Sequence, residues 1–143
     1  MYSPSERLQN IIAQGWVGML FMLILMMLAD LVELGMKGDF SPLAQDPGIA
    51  GLWFIVIVSS INVMMQISVR AYEDKLCRWS IFGVTALYTF VFIVHQATHL
   101  VAGEGFDLHF ILDVTHHTIG IVTSIAAYRW AKLSERNGMV APG

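Results

Sequence analysis

Four long apolar segments are the feature of this sequence that most restricts its fold. A helix needs about 20 mostly apolar residues to cross the hydrocarbon core of a bilayer, and each segment is at least that long. Only 13% of the 143 residues are charged, whereas about a quarter are charged in a soluble domain. We therefore predict a single membrane domain, residues 1–143, with transmembrane helices at about 5–36, 48–70, 77–102 and 108–133.

The connections between these segments are short, with about ten, six and five residues. Short connections place consecutive helices side by side and antiparallel. The predicted fold class is therefore an all-α integral membrane protein, an up-down-up-down bundle of four transmembrane helices. The first segment has too long an apolar core for a cleaved signal peptide, so we expect it to be one of the four spans.

The basic residues predict the orientation of the bundle. Cytoplasmic loops retain an excess of Lys and Arg, and only Lys37 lies on the side opposite to the other seven. Both termini are thus expected in the cytoplasm (N-in/C-in), most naturally at a bacterial inner (cytoplasmic) membrane. The net charge of −3 provides no basic face for nucleic acid. The seven residues are Arg7, Arg70, Lys75, Arg78, Arg129, Lys132 and Arg136.

All five histidines of the chain lie within residues 94–120, together with three acids. At 100° per helical residue, His95 and His99 are 40° apart on the third span, so they share a face. Asp113, His116 and His117 occupy about a third of the circumference of the fourth span. Asp30 and Glu33 share a face of the first span in the same way. Three helices are therefore expected to turn imidazoles and carboxylates toward one point near the outer surface.

This combination of side chains predicts a metal site. Ionisable groups at membrane depth mark functional sites by default, and imidazole with carboxylate suits Fe, Cu(II) or Zn. The single cysteine, Cys77, excludes a cysteine-based zinc motif. We predict one or two transition-metal ions (Fe, Cu or Zn). The ligands are expected to be His95, His99, His116, Asp113, Glu33 and Asp30, with His117 either a ligand or a hydrogen-bond partner of one.

Several polar residues receive a structural interpretation. His109, Glu104 and Asp107 lie in or beside the third loop and are assigned mainly to the water interface. Three polar residues of the second span, Ser59, Asn62 and Gln66, share one face of the helix. We expect them to hydrogen-bond to a neighbouring helix.

The predicted function is that of a small metal-binding subunit of a membrane oxidoreductase. The expected partners are the lipid bilayer and other membrane subunits or further copies of the chain, without nucleic acid. One alternative is a subunit that binds haem b or a chlorin through His95, His99 or His116, although the excess of carboxylates suits such a pocket poorly. The other alternative is a non-catalytic structural or assembly subunit in which the cluster is a polar network.

Overall fold

The computed structural model confirms that the described part of the chain is all-α and forms four helices. The structure describes residues 2–38, 41, 46–101 and 108–138, without the side chains of 46–52 and 134–138. Residue 102, at the end of the predicted third span, and the loop acids Glu104 and Asp107 lie outside the described residues. The helices are α1 (Pro4–Lys37), α2 (Asp46–Ala71), α3 (Lys75–Val101) and α4 (Leu108–Gly138).

Local sequence signals explain where α1 begins and ends. The Ser3 hydroxyl accepts a hydrogen bond from the Glu6 backbone N–H, and the Glu6 carboxylate accepts one from the Ser3 backbone N–H. This reciprocal capping box satisfies N–H groups that the first helical turn leaves free. At the other end, Gly38 adopts a left-handed conformation with φ of 66°, which glycine adopts without a side-chain clash.

All four helices are long and apolar enough to span a membrane. The outward-facing residues of the helices are large and hydrophobic along most of each helix. On α1, for example, Val17, Phe21, Ile24 and Leu28 are exposed. A soluble monomer rarely shows a continuous apolar surface of this extent. The exterior therefore agrees with the membrane class predicted from composition.

The helices form a ring in the order α1, α2, α3, α4. Each helix packs against its two neighbours in this ring, and α2 and α3 make the least extensive contact of the four pairs. Within the described ranges, the backbones of the diagonal pairs α1–α3 and α2–α4 do not approach each other closely. The space along the axis of the bundle is therefore filled by side chains from all four helices.

The start of α1 and of α3 and the end of α2 and of α4 meet at one end of the bundle, here called the basic end. The Trp130 indole N–H donates to the Ser5 hydroxyl at 3.0 Å, which joins α4 to α1. The Gln9 amide donates to the Val69 carbonyl at 3.2 Å, which joins α1 to α2. Arg78 stacks on the Trp130 ring at 4.7 Å and so joins α3 to α4. These contacts establish the antiparallel course of consecutive helices.

Two glycines allow α4 to pack closely against its neighbours. A Cβ atom added at Gly15 of α1 would lie 1.9 Å from the Thr123 Oγ1 atom of α4. A Cβ atom at Gly120 of α4 would lie 2.7 Å from the Thr89 Oγ1 atom of α3. Both distances are far below van der Waals contact. Small residues at these positions therefore set the separation of α4 from α1 and α3.

We predict that Gly15→Ala destabilises the bundle by about 1–3 kcal/mol, because the added methyl group overpacks the α1–α4 contact. Gly83→Ala is the matched control, since a Cβ at Gly83 meets no atom within 4 Å. That control should be neutral or slightly stabilising through higher helix propensity. Unfolding by SDS titration in mixed micelles measures both, and equal stability of the two variants would contradict the packing described.

Candidate metal centre at the cavity end

A cavity of about 690 Å³ opens among the four helices at the end opposite to the basic end, here called the cavity end. It lies where α1 and α3 end and where α4 begins. Its volume lies within the range of about 300–1,000 Å³ that is usual for ligand sites. Its polar lining comes from three helices and consists of Asp30, Glu33, His95, Gln96, His99, His109 and Asp113.

Five of the seven residues predicted as metal ligands line this cavity. His95 and His99 come from the last turns of α3, and Asp113 comes from the second turn of α4. Asp30 and Glu33 come from the last turns of α1. The structure thus places these imidazoles and carboxylates around one space, on the three helices that the sequence indicated.

The two imidazoles of α3 form a close pair. The His95 and His99 Nε2 atoms are 3.1 Å apart, and the ring planes are nearly perpendicular at 84°. Two neutral imidazoles at this distance share one N–H, so one ring donates while the other accepts. The Nε2 atoms of the two rings therefore face each other across this hydrogen bond.

A second pair joins α4 to α1. His109 Nε2 lies 2.7 Å from Asp30 Oδ1, although the contact is not aligned as a hydrogen bond. The sequence analysis assigned His109 to the water interface. However, α4 begins at Leu108, which places His109 in the first helical turn and on the cavity wall.

The remaining two acids differ in their surroundings. Glu33 forms an ion pair with Lys37 one turn further along α1, and both side chains are largely exposed. Asp113 is partly buried and interacts electrostatically with the imidazoles of His117, His109, His95 and His99. Asp113 therefore interacts with histidines of both α3 and α4.

These donors are arranged in pairs, not in a closed coordination sphere. Among the described residues, no group of three or more His, Cys, Asp or Glu side chains is placed to hold one ion. An ion bound by His95 and His99 together with a third donor would therefore need side-chain rotations. These rotations would bring the His95–His99 pair toward Asp113 or toward the Asp30–His109 pair.

The other two predicted ligands, His116 and His117, are not among the residues that line the cavity. His116 is only 1% exposed, and its ring packs against Phe92 with centroids 4.7 Å apart. Its Nε2 atom lies 3.4 Å from the Tyr88 hydroxyl. His117 lies beside His116, with ring centroids 5.7 Å apart.

Tyr88 is the centre of a buried polar layer to which all four helices contribute. The Asn62 amide of α2 donates to the Tyr88 hydroxyl at 3.3 Å, which confirms that Asn62 hydrogen-bonds to a neighbouring helix. The hydroxyl proton is then available to His116 Nε2 of α4. Trp16 of α1 packs edge-on against the Tyr88 ring, with centroids 5.0 Å apart.

Gln96 is a functional candidate that the sequence analysis missed. It lines the cavity, is nine-tenths buried, and its carbonyl oxygen has no hydrogen-bond partner among the described residues. A buried acceptor without a partner is costly, so this atom is suited to a ligand that donates a hydrogen bond. The available signal was its helical spacing, since Gln96 follows Phe92 by four residues and precedes His99 by three.

No known protein family, no curated protein and no solved structure matches this chain.

We predict that Tyr88→Phe destabilises the bundle by about 1–3 kcal/mol, because it leaves Asn62 and His116 without their shared buried partner. Tyr128→Phe is the matched control, since the Tyr128 ring keeps its contacts with Trp79 and Phe82. SDS titration of both variants in mixed micelles gives the comparison. A Tyr88 variant as stable as the Tyr128 variant would contradict the role of the hydroxyl.

Proposed function

We propose that this chain is an integral membrane protein that binds a transition-metal ion (Fe, Cu or Zn) in the cavity. In this proposal the basic end faces the cytoplasm and the cavity end faces the outer side, the periplasm if the source is a bacterial inner membrane. The orientation is supported by the seven Lys and Arg residues that lie toward the basic end, against Lys37 alone near the cavity.

The observation that carries the proposal is the 3.1 Å separation of the His95 and His99 Nε2 atoms. Imidazole nitrogens bind zinc at about 2.0–2.1 Å. Two such nitrogens at tetrahedral or octahedral angles lie about 2.8–3.4 Å apart, by simple trigonometry from that bond length. The pair on α3 therefore already has the spacing of two ligands of one ion.

The rest of the ligand set comes from the facing helices. Asp113 of α4 supplies a carboxylate that interacts with histidines of both α3 and α4, and the Asp30–His109 pair supplies an oxygen and a nitrogen. Glu33 is a further oxygen donor if Lys37 releases it. His116 and His117 are left out of the proposed set because they do not line the cavity. A mixed nitrogen and oxygen set without thiolate suits Fe, Zn and Cu(II).

At the level of the whole assembly, we propose a role as a metal-binding subunit of a membrane oxidoreductase. The described chain consists almost entirely of bundle, so a large substrate would have to be held by another subunit or by a further copy. Iron and copper in this set of ligands support one-electron chemistry, whereas zinc would support Lewis-acid chemistry. The bound metal therefore decides between a redox and a non-redox role.

The test is the metal content of the detergent-purified protein, measured by mass spectrometry after separate incubation with Fe(II), Cu(II) and Zn(II). We expect stoichiometric binding of at least one of these ions. His95→Ala and His99→Ala should each lower the affinity by more than about ten-fold, because each removes one nitrogen of the paired donors. His117→Ala is the matched control and should keep the wild-type content, since His117 lies outside the cavity lining.

Three results would contradict the proposal. The first is wild-type protein that binds none of the three ions. The second is metal content that does not change in the His95 and His99 variants. The third is a Soret or chlorin absorption band in the purified protein, which would support the tetrapyrrole alternative instead.

A further inference from the structure

The cavity has an open side between α2 and α3. Phe54 of α2 and Val91 of α3 line the cavity, yet they are 49% and 48% exposed. These two helices also make the least extensive contact of the four neighbouring pairs. If the bundle is embedded as proposed, this side faces the hydrocarbon of the bilayer, so a lipid-soluble molecule can reach the cavity without passing through water.

The wall beside this opening suits a flat ring with an apolar tail. Phe54 of α2 and Phe92 of α3 lie on either side of the opening between these helices, with ring centroids 6.2 Å apart. Aromatic side chains stack with planar ligands in offset or edge-on arrangements. The remaining apolar lining residues are Leu23, Met26, Met27, Ile55, Val91, Leu100 and Phe110.

The polar wall is suited to a neutral head that donates hydrogen bonds. The Gln96 carbonyl oxygen is buried, lacks a partner among the described residues, and can only accept a hydrogen bond. Asp30 and Asp113 add carboxylates to the same wall. These acids disfavour the anionic headgroup of a phospholipid, because like charges in a space of low dielectric constant repel strongly.

We propose that the cavity binds the hydroquinone head of a lipid-soluble quinol, which arrives from the bilayer between α2 and α3. One quinol hydroxyl donates to Gln96, the second lies toward the imidazoles and carboxylates, and the isoprenoid tail leaves past Phe54 and Val91. The inference depends on the membrane embedding of the proposed function, and it names the class of substrate for the same cavity. It does not require the metal to be bound.

The opening is tested with decylubiquinol, added anaerobically to the detergent-purified full chain and followed by quenching of tryptophan fluorescence. We expect saturable binding that Val91→Phe weakens by about ten-fold or more, because the larger side chain fills the opening. Val84→Phe is the matched control. Val84 lies two turns earlier on the same face of α3, is 40% exposed, and is not among the cavity-lining residues. It should change the affinity by less than about two-fold.

The polar wall is tested by comparing decylubiquinol with its oxidised form, decylubiquinone. The quinone has no hydroxyl donor, so wild-type protein should bind the quinol more tightly, and Gln96→Leu should remove this preference. Gln96→Asn retains a carbonyl oxygen and should therefore keep part of the preference for the quinol. Metal content is measured on the same samples and should not change in Gln96→Leu. Wild-type protein that binds the quinol but none of the three metal ions would overturn the proposed function and leave the quinol inference standing.

Four results would overturn the quinol inference. The first is the absence of saturable binding to wild-type protein. The second is equal weakening by Val91→Phe and Val84→Phe, which would indicate adsorption on the lipid-facing surface. The third is equal affinity for quinol and quinone. The fourth is full displacement of the quinol by phosphatidylglycerol at comparable concentration, which would identify the cavity as a phospholipid site.

Discussion

The mostly apolar exterior of the four helices favours the inside of the bundle for polar side chains, and the other features of the structure depend on this. Inside the bundle, a polar group that is buried without a partner costs free energy. The ring order of the helices then decides which partners are available. Polar groups accordingly form three levels along the axis: the contacts at the basic end, the layer around Tyr88, and the cavity.

The middle level gives the bundle its specificity. Asn62 of α2 and His116 of α4 approach the Tyr88 hydroxyl of α3, and Trp16 of α1 packs on the Tyr88 ring. A shift of one helix by one turn would break this set, so the layer fixes the register of the bundle in the way that buried polar groups fix coiled-coil register. The layer adjoins the cavity, because the Phe92 ring that lines the cavity packs on His116.

The sequence predicted the helices well, because length, hydropathy and short connections leave few other arrangements. It also predicted that seven side chains would turn toward one point, and five of them line the cavity, whereas His116 and His117 do not. That inference needed only the helical period and the antiparallel order of the spans. The ion itself and the function assigned to it stay predictions.

The roles of His116, His109 and Gln96 could not be derived from the sequence. A face that spans a third of the circumference of a helix is directed toward two neighbouring helices. Only the packing decides which of these two helices each side chain contacts. His116 turned toward Tyr88 on α3, whereas Asp113, less than one turn earlier, stayed in the cavity. The fourth span was predicted to begin at residue 108, as α4 does, but only the packing shows that His109 of α4 meets Asp30 of α1. Gln96 was identified only by a carbonyl oxygen without a partner.

X-ray absorption spectroscopy of the zinc-loaded protein tests the central claim most directly, because it reports the atoms around the ion. The account predicts a first shell of nitrogen and oxygen at about 2.0–2.1 Å, with the outer-shell scattering of at least two imidazole rings. A shell of oxygen alone, without imidazole scattering, would mean that the ion is not held by His95 and His99. A sulfur shell at about 2.3 Å would assign the ion to the thiolate of Cys77, outside the cavity. Either result would contradict the account.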